Sequence, residues 1–230
     1  MKLVKLTNGP ESATKRWYDD ACGTALGMEL VGERWSLLIV RELLLGPRRF
    51  GALRAGLPGI SANVLTQRLE GLEASGIIER RTLPPPANVQ VYALTPWGEE
   101  CEPVVLGLAR WALRSPMHDP RLSFSPTALM LSLKMLVVTE RLGDMQSVIG
   151  LRLDGEDYVA RVGDGAITVA RGAAIDADAM LAGAPGAMLP LFFGGKSLAE
   201  AEAAGLVSVS GDRARAALFA TLFSLPQKAR

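Results

Sequence analysis

The hydrophobic period of this chain changes at Gly76, and no other feature restricts the fold of its first half as strongly. In ISANVLTQRLEGLEASG the leucines at 65, 69 and 72 recur at spacings of four and three, which align them on one face of an α-helix. Past Gly76, IIERRTL and VQVYALT alternate with a period of two, the pattern of strands that bury one face. The joining PPPAN, residues 84–88, is held extended by its prolines and cannot continue a ladder, so the two runs form a β-ribbon with a stiff tip.

The residues around this unit supply its context. CGTALGMELVG and WSLLIVRELLLG have the spacing of short helices, each ending on a glycine able to take the left-handed conformation; RRFGALRAG is a third, closed by Gly56. Ser61 is a good N-cap for the helix quoted above. Thr95 caps a long helix with Pro96 in its first position, which carries apolar residues to Arg114 with a kink expected at Pro103. Four helices, a ribbon and a helix in this order make a winged helix-turn-helix.

The outer face of the helix after Ser61 is chemically specific. At about 100° per residue from the buried Leu65, Asn63 and Gln67 point nearly opposite, with Thr66 beside them. Asn and Gln pair bidentately with adenine in the major groove, and Thr can touch a thymine methyl. Net charge is only +1, but between Arg48 and Val91 six arginines face three glutamates. Arg48, Arg49, Arg80 and Arg81 lie at helix or ribbon ends, where a duplex backbone would run, and Arg68 lies on the flank of the helix. These residues make double-stranded DNA a candidate partner, contacted by Arg48, Arg49, Ser61, Asn63, Thr66, Gln67, Arg68, Arg80 and Arg81, against the alternative of a solvated helix face whose amides bind nothing. The wing tip has no cation, so the base of the wing is the better contact.

GERWSLLIVRELLLGPRRFGALRAGLPGISANVLTQRLEGLEASGIIER followed by VQVYALTPWG resembles the HxlR-type winged-helix transcription regulators, the likeness spanning residues 17–115. The resemblance implies DNA binding as a homodimer joined through terminal helices, here the segment from Trp17 to Met28 and the helix from Trp97 to Arg114, with Val104, Val105, Leu108, Trp111 and Ala112 as seam candidates. It also places Cys22 where many members carry a cysteine, a redox sensor in some; Asp19 and Asp20 nearby are expected to raise its pKa and so to favour an incidental thiol.

RSPMHDPRLSFSP, with three prolines, separates residues 1–115 from 126–230, with 116–125 as the linker. In the second unit SVIGLRLDGEDYVARVGDGAITVARG holds three alternating runs split by Asp-Gly pairs, the signature of an antiparallel meander. Helical patterns follow in DADAMLAGA, GAMLPLFFG and SLAEAEAAG, then the strand LVSVSG and the helix DRARAALFATLFSLP. AMLAGAPGAMLPLFFGGKSLAEAEAAGLVSVSGDRARAALFATLF resembles the sterol carrier protein type of lipid-binding domain, over residues 125–228. That likeness implies an apolar small-molecule ligand, with Leu131, Met135, Met188, Leu191, Phe192, Phe219 and Phe223 as candidate lining.

The expected architecture is thus α+β, a winged helix-turn-helix followed by a sterol-carrier-like domain with an antiparallel sheet. Neither a catalytic set nor a metal or cofactor site is expected: GGKS lacks the glycine that a phosphate loop needs at 190, where Pro190 stands, and two cysteines with one histidine make no zinc cluster. Ser197 and Glu200 instead have capping-box spacing. The N-terminus lacks a signal-peptide apolar segment and no run is long enough to span a membrane, so a cytoplasmic location is expected. The sequence leaves two readings: a DNA-binding regulator with a ligand-binding domain, or a lipid carrier or protein-interaction module whose winged helix does not bind DNA.

Overall fold

The computed structural model describes residues 18–229 and contains two apolar cores. Trp17 lies outside the described residues. The first core is built by α1 (Gly23–Val31), α2 (Ser36–Leu43), α3 (Phe50–Ala55), α4 (Ala62–Ala74), the ribbon β1 (Ile78–Thr82) and β2 (Gln90–Leu94), and the helices α5 (Pro96–Glu99) and α6 (Glu102–Ala112). Leu65, Leu69 and Leu72 are buried, as the spacing requires, against Ile39, Val40 and Leu43 of α2 and Leu53 of α3. Strands β1 and β2 pair antiparallel from Ile78–Leu94 to Thr82–Gln90.

The expected single helix from 97 to 114 is two. Thr95 caps α5 through its hydroxyl, which accepts the Gly98 N–H at 3.0 Å, and Pro103 sits in the first turn of α6, where its missing N–H costs no hydrogen bond. Pro103 therefore helps to start a helix and does not kink one. Of the three glycines expected to close helices in the left-handed conformation, only Gly46 takes it; Gly32, with its N–H on the Met28 carbonyl, and Gly56, with its N–H on the Ala52 carbonyl, stay right-handed.

The second core lies between α7 (Pro126–Leu136), a five-stranded sheet and the helices α8 (Leu189–Phe192), α9 (Leu198–Ala203) and α10 (Arg213–Ala220). The meander forms as the Asp-Gly pairs dictate: β3 (Ser147–Leu153), β4 (Glu156–Gly163) and β5 (Ala166–Arg171) pair antiparallel through turns whose Asp and Gly residues all have positive φ. Residues 176–184, read as a helix, contain the strand β6 (Ala179–Gly183). It runs parallel to β3 and antiparallel to β7 (Ser208–Gly211), giving the order β5-β4-β3-β6-β7, so the sheet is mixed. Ala, Met and Leu favour helix in isolation, but pairing on both edges inside a sheet overrides that preference. The Ser197–Glu200 capping box forms on α9. Among the described residues no helix is long and apolar enough to cross a membrane.

Candidate nucleic-acid interface

Helix α4 is anchored from below and open from above. The Ser61 hydroxyl accepts the Val64 N–H at 3.2 Å and so fixes the first turn, while the three leucines clamp the helix to α2 and α3. Asn63, Thr66, Gln67 and Glu70 are all exposed, and the side chains of Asn63, Thr66 and Gln67 make no hydrogen bond to another described residue. Three short polar side chains that spend no donor or acceptor internally form one surface.

The arginines divide into two groups. Arg68 donates to the Arg34 carbonyl at 3.2 Å and pairs with Glu33 at 3.0 Å; Arg80 pairs with Glu73 at 2.7 Å and lies over the Tyr92 ring; Arg81 pairs with Glu79. These three brace α4 and the wing base before they can reach a phosphate. Arg49 and Arg54, at the N-cap and in the last turn of α3, are exposed and make no ion pair with a described residue. Arg54 was not among the expected contacts; the signal for it was its place in the basic window.

Arg48 departs furthest from expectation. Its side chain is only 8% exposed and turns away from the α4 face into the second unit, where it pairs with Glu156 and donates to Tyr158 Oη at 3.0 Å and Thr127 Oγ1 at 3.3 Å. A buried guanidinium with three internal partners is not a phosphate contact. The expected linker contributes to the same contact, because Ser125 Oγ donates to Glu42 Oε1 at 2.7 Å.

The expected ligand-lining residues do not surround one cavity. Met188 and Phe219 are fully buried, and Phe192, Phe219 and Phe223 pack edge-to-face with ring centroids 5.1–6.0 Å apart, filling the core. Leu191, Phe192 and Phe223 form the floor of an open groove of about 570 Å³ with Phe193 and Leu225, rimmed by Arg141 and Lys196. Leu131 and Met135 lie on the other side, in an apolar cleft of about 540 Å³ between α7 and α6. No three His, Cys, Asp or Glu side chains among the described residues are grouped to hold a metal.

Cys22 reverses its expected electrostatics. Asp20 accepts the Cys22 backbone N–H at 2.9 Å, and the sulfur caps α1. The Thr24 N–H at 3.4 Å and hydroxyl, with the Ala25 N–H, hold the exposed thiol below its usual pKa.

Residues 30–119 match the HxlR-like helix-turn-helix family. The uncharacterized HTH-type transcriptional regulator YvaP of Bacillus subtilis is 36% identical over 86 residues, which cover 37% of this chain and 79% of that protein. A second relative, the uncharacterized HTH-type transcriptional regulator sll1512 of Synechocystis, is 44% identical over 82 residues, 35% of this chain and 60% of its own length, so the chain spans less than two thirds of it. Among solved structures, the reduced form of the transcriptional regulator YodB from B. subtilis is 33% identical and covers 43% of this chain and 98% of that one, with a TM-score of 0.38.

Proposed function

This chain belongs to the HxlR-like helix-turn-helix family, and we propose that it is a homodimeric, cytoplasmic, DNA-binding transcription regulator whose C-terminal domain takes up an apolar small molecule. The observation that carries this reading is the exposed polar face of α4, Asn63, Thr66 and Gln67, together with the exposed Arg49 and Arg54 of α3, which make no ion pair with a described residue. A helix held by its leucines and presenting amides can enter a major groove while the neighbouring cations meet phosphates.

Dimerisation is supported by a stripe on α6. Val104, Leu108 and Trp111, at spacings of four and three, are 55%, 47% and 72% exposed, and Leu26 and Met28 of α1 are also half open. Val105, expected in the seam, packs inside the first core instead. The ligand reading takes the C-terminal domain as sterol-carrier-like, and its support is the apolar floor of the groove over Phe192, Phe193 and Phe223. A ligand that prefers one dimer geometry would change the separation of the two α4 helices and so the affinity for a two-half-site operator. In this reading the chain has no catalytic role.

The test is the salt dependence of binding between the full chain and a mixed-sequence duplex. About six phosphate contacts per dimer should cost about 10³-fold in affinity between 50 and 200 mM salt. Absence of binding, or binding indifferent to salt, would leave the carrier or protein-interaction reading in its place.

A further inference from the structure

Arg48 joins three parts of the molecule. Its backbone bridges the wing, donating to the Tyr92 carbonyl at 2.9 Å and accepting the Tyr92 N–H at 2.8 Å. The next residue, Arg49, is the N-cap of α3, which opens the helix-turn-helix. Its side chain enters the C-terminal domain and meets Glu156 and Tyr158 of β4 and Thr127 of α7. Arg171 of β5 crosses the seam in the opposite direction. Its guanidinium donates to the carbonyls of Pro47 at 3.3 Å and of Gly46 and Glu42 at 3.4 Å. Tyr158 Oη also donates to Glu156 Oε2 at 2.7 Å, which fixes the carboxylate that receives Arg48.

This seam differs from the apolar cores on either side of it. The buried side-chain atoms without a hydrogen-bond partner among the described residues, Glu42 Oε2, Arg48 Nε and Arg171 Nε, all lie here. Incompletely satisfied buried groups make a contact costly in its present arrangement and responsive to small changes in its partners.

We propose that Arg48 is a positioning residue for DNA binding: through it Glu156 and Tyr158, on the C-terminal sheet, hold the wing and the start of α3 as one unit. The inference rests on the reading of α4 as the DNA-facing helix. It makes duplex affinity depend on side chains that do not lie on the DNA-facing surface, and it gives a change at β4 a short route to the helix-turn-helix: the ion pair and hydrogen bond to the Arg48 side chain, then the one peptide bond to Arg49.

The experiment uses the full chain with Glu156→Gln and, in case that variant fails to fold, Tyr158→Phe; Glu202→Gln, which removes a charge from the Arg213 pair on the C-terminal domain, is the control. Amide hydrogen exchange and affinity for a fluorescein-labelled, mixed-sequence duplex are read together. In both seam variants the Arg48 and Tyr92 amides exchange about tenfold faster and affinity falls about tenfold, as when the competent wing orientation is populated a tenth of the time. The α4 amides of Leu65 and Leu69 keep their rates, and the salt slope is unchanged because no phosphate contact is lost. Glu202→Gln moves neither readout. The proposal is overturned if the Arg48 and Tyr92 amides keep wild-type rates, if they speed up only together with Leu65 and Leu69, or if affinity holds while they speed up. A wild-type chain that binds no duplex at all defeats the DNA reading itself, and the exchange rates then still report whether the seam ties the wing to the sheet.

Discussion

Backbone N–H groups of Thr24 and Ala25 face the Cys22 sulfur at the start of α1, and they set its acidity more than the neighbouring aspartates do. Cys101 is half-buried between α5 and α6, and burial, followed by the charge of Glu100, pushes its thiol the other way. Because the thiolate is the reacting form, iodoacetamide should modify Cys22 with a pH midpoint below that of an ordinary thiol and Cys101 with one above it, read by mass spectrometry of the two peptides. Equal midpoints would remove the capping argument. Sequence proximity suggested the wrong sign because the sulfur caps α1 and accepts hydrogen bonds at the start of that helix, a detail of local geometry. The same limit applies to the arginines. Their positions in a basic window were legible, whereas Arg68, Arg80 and Arg81 each pairing with a glutamate, and Arg48 turning inward, depend on contacts up to 110 residues apart.

At the scale of elements, periodicity performed well wherever one face is buried and poorly where pairing decides. The α4 leucine stripe, the ribbon and both Asp-Gly hairpins follow from local rules of spacing and turn chemistry. Residues 179–183 do not, since a run of Ala, Met, Leu and Gly becomes a strand only because β3 and β7 flank it. Helix α6 illustrates what an amphipathic pattern leaves open. Its sequence marks Val104, Val105, Leu108 and Trp111 as apolar, but only the packed helix shows that Val105 faces inward and the other three outward. Trp111→Glu should therefore convert a dimer to a monomer, measured by light scattering after gel filtration, with the thermal midpoint changed little because the side chain is not in the monomer core. A variant that stays dimeric would place the seam elsewhere.

For the whole molecule, the two apolar cores come from successive stretches of sequence but are joined in structure. A proline-rich stretch marks the expected boundary, yet Leu45 packs against the C-terminal core, Arg48 and Arg171 cross the seam in opposite directions, and Ser125 of the expected linker holds Glu42. An expected ligand chamber inside the C-terminal domain is replaced by a filled aromatic core with an open groove above it, because the phenylalanines meet one another edge-to-face. None of these tertiary contacts leaves a periodic trace in the sequence.

The central claim is that the outer face of α4 reads base sequence. It is tested most directly by selecting duplexes from a random-sequence pool with the full-length wild type, Gln67→Ala and Arg49→Ala. The account predicts that the wild type enriches a two-half-site sequence, that Gln67→Ala relaxes preference at one position per half-site by about 1–3 kcal/mol, and that Arg49→Ala keeps the preference while binding every sequence more weakly. The same enriched sequence with the same discrimination from wild type and Gln67→Ala, or no enrichment by the wild type, would contradict it.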